Sequence, residues 1–252
     1  MLNETTLGKL RDLKLKSMAD GFNEQLSNTH FEQMAFEERF GLLVDAEWTR
    51  RENGRRERLF KKATFSVGSA CIEDIEYHAD RKFDRNLITK LGTCNYINES
   101  HNIIILGPTG SGKTFLGNAF GVAASNKRFA VKFTKLPDLL SELSIAYGER
   151  KYHQILKQYT QVKLLILDEW LLFPLRGEEA RFLFDLVDSR YNTGATIFCS
   201  QFEPNGWYEK IGEPALADAI CDRIINNAYT IVAGSKDSES MRRRKGLKEA
   251  EM

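Results

Sequence analysis

The sequence predicts an α/β protein in which a five-stranded parallel sheet is covered by helices on both faces and preceded by a small all-helical region. Three observations support this fold class. Short apolar runs alternate with helical patterns from about residue 100 onward. A glycine-rich loop joins the first of these runs to a helix. The first 62 residues space their apolar side chains as helices do, without a β pattern.

The first element of this organisation is a helical domain that we expect to span residues 1–68. Apolar residues recur at helical intervals over 7–26 and again over 36–48. Residues 27–29 (Ser-Asn-Thr) separate the two patterns and are good helix-capping residues. The residues that share one face of the second helix, which we expect to pack in the helical core, are Phe36, Phe40, Leu43 or Val44, and Trp48.

The second element is an α/β domain that we expect to span residues 69–252. The apolar runs predicted as its strands are 103–106, 130–133, 164–167, 196–199 and 230–232. The helical patterns between them are at about 113–126, 137–160, 178–192 and 205–227. Only about 20 residues follow the last strand. We therefore expect a short basic C-terminal tail instead of a full helical lid domain.

Composition and charge narrow the functional classes. Lys and Arg number 36 against 35 Asp and Glu, a formal net charge of +1, so any contact with nucleic acid must come from a local patch. The four cysteines and four histidines have no zinc-ligand spacing, which favours free thiols in a reducing compartment. No secretory segment and no apolar run of about 18 residues is visible, so we expect a cytoplasmic protein.

The glycine-rich loop fits the phosphate-binding pattern G-x-x-x-x-G-K-[ST]. Its residues are Gly107, Pro108, Thr109, Gly110, Ser111, Gly112, Lys113 and Thr114. The glycines let backbone N–H groups converge on a phosphate, and the helix that follows directs its positive end at the same anion. We predict that Lys113 contacts the β- and γ-phosphates of a nucleotide and that the Thr114 hydroxyl is a Mg²⁺ ligand. Tyr96 and Ile97, shortly before the first strand, are candidates for packing against adenine.

Two carboxylates end the strand at 164–167. Asp168 lies 55 residues after Lys113, and Glu169 follows it directly. An acid at this strand end, beside a phosphate loop, can hold Mg²⁺, which suits Asp168. A second acid can polarise an attacking water, which suits Glu169. This pair favours hydrolysis over simple nucleotide binding.

Further motifs extend the pattern over about residues 5–245. They are an N-terminal signature, the strand that ends in the two acids, a C-terminal block and a closing motif. Their residues are 36–48 with 50–53, 164–170 with Leu175, Trp207 with 211–214, 216–220 and 222–224, and 239–242. With these motifs the chain resembles the IstB-type helper ATPases of insertion-sequence transposons, a DnaC-like branch of the AAA+ ATPases.

The resemblance implies roles that spacing alone does not give. Arg223 matches an arginine finger that enters the ATP site of a neighbouring subunit, and a surface salt bridge with Asp218 or Asp222 is the alternative. Arg242 matches a sensor-2 arginine, with a solvated basic tail as the alternative. For sensor 1, Gln201 aligns best and Ser200 is adjacent to it. One departure is that the acid pair is Asp-Glu where many relatives have two aspartates, which leaves hydrolysis expected.

A basic segment at 50–62 is the candidate DNA surface. It contains seven bases and two acids, a local net charge of +5. The predicted DNA-binding residues are Arg50, Arg51, Arg55, Arg56, Arg58, Lys61 and Lys62. Four of them, Arg51, Arg55, Arg58 and Lys62, follow helical spacing and would form one stripe about 16 Å long. A solvated helix end is the alternative, and the resemblance favours contacts with duplex phosphates.

The function implied by the resemblance is ATP- and Mg²⁺-dependent assembly of many subunits on duplex DNA, ATP hydrolysis, and delivery of target DNA to a transposase. Three alternatives stay open. A DnaC-like loader would serve a replicative helicase with the same ATPase. A small-molecule kinase would need neither Arg223 nor a basic helix. A nucleotide-gated scaffold would bind ATP without hydrolysing it.

Overall fold

The computed structural model describes residues 2–81, 83–235 and 238–245. The helices of these residues are α1 Leu2–Asp12, α2 Lys16–Ser27, α3 Phe36–Ala63, α4 Arg85–Gly92, α5 Asn95–Asn98, α6 Lys113–Asn126, α7 Leu136–Gly148, α8 Tyr152–Thr160, α9 Glu179–Arg190, α10 Trp207–Ile211, α11 Pro214–Ile225 and α12 Met241–Lys245. The strands are β1 Asn102–Leu106, β2 Val131–Lys135, β3 Leu164–Asp168, β4 Ala195–Ser200 and β5 Ala228–Val232. Among the described helices, none combines the length and the hydropathy that crossing a bilayer requires.

The five strands form one parallel sheet in the order β2-β3-β4-β1-β5. This confirms the predicted fold class and every predicted strand. Strand β1 lies between β4 and β5, and its Ile104 is paired with Phe198 of β4 and Thr230 of β5. The carboxyl ends of all five strands therefore lie along a common edge of the sheet, at which β1 leads into the phosphate loop.

The sheet is covered on both faces, as fully apolar strands require. Alternate residues of β1 belong to different cores: Ile103 and Ile105 pack with Phe120 of α6, whereas Ile104 packs with Leu183 of α9. The first core also contains residues of α4, and the second contains residues of α7, α8, α10 and α11. Because successive side chains of a strand point to opposite faces of the sheet, β1 contributes buried side chains to both cores.

Three helical details differ from the prediction. The pattern at 137–160 forms two helices, α7 and α8, because Arg150 between them has a left-handed backbone (φ +60°). The pattern at 205–227 is also divided, by Gly212 (φ +80°), before Pro214 begins α11. The helices α4 and α5 were not predicted, and Asp84 caps α4 by accepting hydrogen bonds from the backbone N–H groups of residues 86 and 87.

Contacts between Cα atoms divide the chain into two compact units, residues 1–58 and 59–252. Helix α3 contributes to both. The predicted domain boundary after residue 68 stays a prediction. After β5, the described part of the second unit contains α12.

The first unit contains α1, α2 and most of α3. Helix α2 packs closely on α3, since a Cβ atom at Gly21 would lie 3.0 Å from Leu43 Cδ2. The predicted core face of α3 is wrong in part: Leu43 is buried, but the other members of that face are exposed. Those exposed side chains are Phe36, Phe40, Val44 and Trp48. The short helix α2 covers only the side of α3 that carries Leu43 and Glu47, which leaves the neighbouring apolar side open.

Candidate functional site

The phosphate loop connects β1 to α6 at the carboxyl edge of the sheet. Gly110 (φ +79°) and Gly112 (φ +89°) have left-handed backbones that residues with side chains rarely adopt. Gly112 directly precedes the first residue of α6. The unpaired N–H groups in the first turn of a helix attract anions, so the start of α6 fits the predicted phosphate site.

Lys113 lies over this loop. Its Nζ atom donates hydrogen bonds to the carbonyl oxygens of Gly107 and Pro108, both at 2.8 Å. Phosphate oxygens would be stronger acceptors for the ammonium group than neutral carbonyls are. The geometry thus keeps Lys113 at the loop, where a phosphate can replace the two carbonyls.

The two predicted Mg²⁺ ligands meet at the carboxyl edge. The Thr114 hydroxyl donates a hydrogen bond of 2.8 Å to Asp168 Oδ2, joining the start of α6 to the end of β3. Asp168 is buried. Carboxylate and hydroxyl oxygens are the ligand types that Mg²⁺ prefers, so this pair fits the predicted metal site.

Glu169 follows Asp168 with a left-handed backbone (φ +56°). Its Oε1 atom forms an ion pair of 2.8 Å with Nζ of Lys135, the last residue of β2. The hydrogen bond and the charge of Glu169 raise the pKa of Lys135 above its ordinary value. The sequence analysis did not place Lys135 beside Glu169, although its position at the end of the strand next to β3 could have indicated this contact.

The two candidates for sensor 1 have different surroundings. Ser200 is buried, and its hydroxyl oxygen accepts hydrogen bonds from the backbone of Phe202 and the indole of Trp207. Gln201 instead accepts a hydrogen bond of 3.3 Å from the Thr109 hydroxyl of the phosphate loop. The geometry therefore supports Gln201, because its side chain is the one that contacts the phosphate loop.

The closing motif lies against the phosphate loop. The N–H group of Met241, which begins α12, donates a hydrogen bond of 2.9 Å to the carbonyl oxygen of Gly110. Arg244 of the same helix forms a 2.9 Å ion pair with Asp80. The chain thus brings α12, and with it the backbone of Arg242, to the phosphate loop, whereas the Arg242 side chain lies outside the described residues.

Arg223 lies on α11 and is held within its own chain. Its guanidinium group forms a 2.9 Å ion pair with Asp188 of α9 and is 5.2 Å from the Phe184 ring. The salt-bridge partner is therefore Asp188, and the sequence had suggested neighbours on the same helix. A small cavity lined by Arg223 is also lined by Asn102, the first residue of β1, and by Thr196, the second residue of β4. Arg223 thus lies toward the amino edge of the sheet, opposite the phosphate loop, which fits its predicted role in the site of another subunit.

Tyr96 and Ile97 do not lie where the adenine prediction needs them. Both are buried in the core beneath α4, with Ile88 and Leu91. The described residues that line the cavity next to the phosphate loop come instead from 74–83, from the start of α6 and from Met241. The predicted adenine contact is therefore not supported, because the hydrophobic core occupies both side chains.

The basic segment lies on α3, a continuous helix of 28 residues, which confirms the helical geometry assumed for the stripe. All seven predicted DNA-binding residues are exposed: Arg50, Arg51, Arg55, Arg56, Arg58, Lys61 and Lys62. Within the described chain, Arg55 and Arg58 have no hydrogen bond or ion pair with another residue. Their charges are therefore available to phosphates.

Arg50 and Arg51 differ from the rest of the stripe because both contact Glu47. The Nε atom of Arg51 is 2.8 Å from Glu47 Oε1, and Arg50 donates to both carboxylate oxygens. Glu47 also accepts a hydrogen bond of 3.0 Å from the N–H group of Ser17, in the first turn of α2. The hydrogen bond from Arg50 lowers the pKa of Glu47 to about 2, against the opposing effect of burial. These two arginines therefore stabilise the first unit in addition to their predicted role.

Comparison with known proteins places these features in a family. Residues 8–249 match the family described as IstB-like ATP binding protein. A putative insertion sequence ATP-binding protein of Sinorhizobium fredii is 35% identical over 245 residues, which cover 97% of this chain and 100% of that protein. The putative ATP-binding protein of insertion sequence IS1162 from Pseudomonas fluorescens is 36% identical over 201 residues, which cover 80% of this chain and 87% of that protein.

Solved structures support the fold. The DnaC helicase loader superposes with a TM-score of 0.54 at 19% identity, covering 65% of this chain and 96% of that one. DnaI superposes with a TM-score of 0.56 at 21% identity, covering 65% of this chain and 90% of that one. At this level of identity the likeness concerns the fold alone, and it is that of the P-loop AAA+ core.

Proposed function

The chain belongs to the IstB-like ATP binding protein family, and we propose that it is an ATP-hydrolysing helper of transposition. In this proposal it assembles on duplex DNA with ATP and Mg²⁺ and delivers that DNA to the transposase of the same insertion sequence. The relatives' names support the link to ATP and to insertion sequences. A function on DNA would place the protein in the cytoplasm.

The observation that carries the proposed ATPase activity is the meeting of two motifs at the carboxyl edge of the sheet. Thr114 and Asp168 are in direct contact there, and Glu169 follows at the end of the same strand. A nucleotide-binding module without hydrolysis would need the phosphate loop but would not need a second acid beside it. This arrangement therefore favours hydrolysis over binding alone.

The proposed chemistry is attack of water on the γ-phosphorus of ATP, which breaks its bond to the β,γ-bridging oxygen and releases ADP and phosphate. Lys113 exchanges the carbonyls of Gly107 and Pro108 for the β- and γ-phosphates and neutralises their charge. Thr114 and Asp168 would hold Mg²⁺, which supplies further positive charge for the phosphates. Glu169 accepts a proton from the attacking water, and Gln201 orients that water.

The remaining proposed residues act on the charge that develops during transfer. Arg223 of a neighbouring subunit would leave Asp188 and approach the γ-phosphate, which would make hydrolysis dependent on assembly. Arg242 would approach the same nucleotide from α12 of the subunit that binds it. A guanidinium group suits both roles because it stays charged and offers several donors to phosphate oxygens.

The proposed DNA contacts come from the exposed bases of α3. Phosphate contacts of this kind position a protein on DNA but do not read its sequence. One stripe binds weakly by itself, and an assembly that presents many stripes gains affinity through effective concentration. Since ATP would drive assembly, ATP and DNA should each strengthen the binding of the other.

Particle imaging of the full chain tests this proposal. The protein is mixed with ATP and Mg²⁺, with and without duplex DNA, and Lys113→Ala is imaged in parallel. We expect large assemblies on DNA for the unchanged protein and none for the variant. Assemblies of the Lys113→Ala variant on DNA would contradict the proposed coupling of nucleotide to DNA.

A capture experiment tests the proposed partner. The transposase of the same element and a replicative helicase are offered together to the chain bound to ATP and DNA. We expect retention of the transposase. Retention of the helicase alone would favour the loader function and would overturn the proposed role in transposition.

A further inference from the structure

Arg81 is a buried arginine directly behind the phosphate loop. Its side chain is 2% exposed, and its Nη1 atom donates a hydrogen bond to the carbonyl oxygen of Ser111. Its Nε and Nη2 atoms are also buried, and neither has a hydrogen-bond partner. Among the described residues, none forms a salt bridge with it. Two charged donors are therefore held in the protein without an acceptor.

Such donors are costly unless a ligand satisfies them. Burial of a cation without an anion is unfavourable, and buried N–H groups without acceptors lose the hydrogen bonds that water would supply. Burial accordingly lowers the pKa of Arg81 below its ordinary value. An anion bound beside Arg81 would satisfy the charge and the free donors together.

A cavity of about 100 Å³ adjoins Arg81. Its wall includes Gly112 and Phe115 from the loop and the start of α6, and Met241 from α12. A Cβ atom added at Gly112 would lie 3.3 Å from Arg81 Nη1, so the guanidinium group lies directly against the loop backbone. The N-terminal turn of α6 and the Arg81 side chain thus line the same cavity.

The backbone at residues 80 and 81 is held by hydrogen bonds from residues that follow β5. The carbonyl oxygen of Arg81 accepts a hydrogen bond of 3.2 Å from the N–H group of Gly234. The preceding residue, Asp80, accepts hydrogen bonds from the Ser238 hydroxyl at 2.7 Å and from Arg244 at 2.9 Å. These contacts hold Arg81 against the loop before any ligand binds, so little side-chain freedom would be lost on binding.

We propose that Arg81 is a nucleotide-binding residue whose free Nε and Nη2 donors bind the α-phosphate of the nucleotide held by the phosphate loop. This assignment rests on the proposed ATP function. It gives the site two cations with different tasks: Lys113 binds the β- and γ-phosphates, and Arg81 binds the phosphate next to the ribose. Arg81 would then distinguish a nucleotide from a free pyrophosphate.

Competition binding separates this role from support of the loop. A fluorescent ATP analogue is displaced by ATP, ADP or pyrophosphate from the unchanged protein, Arg81→Met and Arg81→Lys, all with Mg²⁺. We expect Arg81→Met to weaken ATP and ADP by about 10- to 100-fold, the usual effect of losing hydrogen bonds to a charged group, and pyrophosphate by less than about 3-fold. Arg85→Met, an exposed arginine of α4 stacked on Tyr77, is the matched control and should change none of the three.

The outcomes are distinct. Equal loss of ATP and pyrophosphate binding in Arg81→Met would make Arg81 a support of the loop only and would overturn the assignment, as would unchanged binding of both. If Arg81→Met does not fold, Arg81→Lys takes its place, because it keeps a donor for Ser111. The ratio of its affinity for ATP to its affinity for pyrophosphate is then compared with that of the unchanged protein. Failure of the unchanged protein to bind either competitor would instead refute the proposed ATP function.

Discussion

At the carboxyl edge of the sheet, charged side chains contact other polar or charged groups, whereas most charged side chains on the second half of α3 are exposed without a described partner. Thr114 meets Asp168 at 2.8 Å, and Lys135 meets Glu169 at the same distance. On α3, Arg55 and Arg58 are exposed and have no described partner. A site whose polar groups are already paired is prepared for chemistry on a small ligand. A row of exposed positive charges suits a large anion whose negative charges can pair with them.

Within α3 itself, the bases that pair with another residue of the described chain are those next to Glu47. Arg50 and Arg51 are paired with this buried carboxylate, and beyond them the bases of α3 are exposed. The first two arginines therefore serve the fold of the first unit, and the rest are available to a partner. Four variants test the comparison between the sheet edge and α3, from the largest expected effect to the smallest.

The largest effect is expected for Lys113→Ala. Removal of the ammonium group deletes the main cation for the β- and γ-phosphates, and ATP affinity should fall by about 100-fold or more. Titration with a fluorescent ATP analogue measures this. Lys163→Ala, an exposed lysine just before β3, is the control and should leave ATP affinity unchanged. Duplex affinity without nucleotide should stay within about twofold in both variants, and a large fall there would remove the contrast between the regions.

Glu169→Gln should separate binding from turnover. The amide keeps the size of the side chain but cannot accept the proton from water, so hydrolysis should fall by about 100-fold or more. ATP affinity should stay within about threefold. Phosphate release under saturating ATP measures the first quantity. Glu149→Gln is a matched control, because Glu149 forms a 2.8 Å pair with Lys151 outside the site. Hydrolysis at an unchanged rate in Glu169→Gln would favour another base.

Reversal of charge at Arg55 and Arg58, both to Glu, should weaken DNA binding at moderate salt by about tenfold or more. Two fewer phosphate contacts should reduce the slope of log affinity against log salt by about 2. Binding to one duplex at several salt concentrations measures both. The control variant reverses the charges of Arg176 and Arg181 together, which gives the same change in net charge. Both residues are exposed and lie in or near α9. An unchanged slope in the α3 variant would remove these residues from the DNA surface.

The smallest effect is expected for Glu47→Gln. Loss of the carboxylate removes the ion pairs with Arg50 and Arg51 and weakens the contact with Ser17, and the first unit should lose roughly 1–2 kcal/mol. The folded pKa of about 2 lies below the ordinary 4.5. This contribution is therefore complete above about pH 4.5 and is lost as pH falls toward 2. Amide hydrogen exchange in α2 measures it, with Glu57→Gln on the exposed side of α3 as the control. Equal protection of α2 in both variants would show that Glu47 does not stabilise the first unit.

The sequence predicted the sheet and the phosphate site well because both depend on local patterns. Apolar runs identified all five strands, and the phosphate motif with its two acids identified groups that the fold places side by side. The splits at Arg150 and Gly212 escaped prediction because left-handed residues break a helix without changing its hydrophobic period. Arg81 also escaped, since its importance depends on burial against a loop 30 residues away.

The apolar face of α3 shows what helical periodicity cannot predict. Helical periodicity correctly placed Phe36, Phe40 and Trp48 on one side of a helix, but it could not show whether another element covers that side. The structure leaves these side chains exposed and buries Leu43 and Glu47. Burial of an acid and exposure of aromatics both reverse the usual preference, because α2 approaches α3 from one direction only.

The position of β1 between two strands that come much later in the chain has a consequence for synthesis of the protein. Its Ile104 is paired with Phe198, which the ribosome adds 94 residues later, and with Thr230 beyond that. At about 5–20 residues per second, a nascent chain carries this bare strand for several seconds before its neighbours emerge. The phosphate loop also becomes complete only after β4 has been synthesised, because the N–H group of Gly107 donates a hydrogen bond to the carbonyl oxygen of Ser200. A chain interrupted before β4 would thus leave the ribosome with the apolar strand β1 unpaired and its nucleotide site unformed.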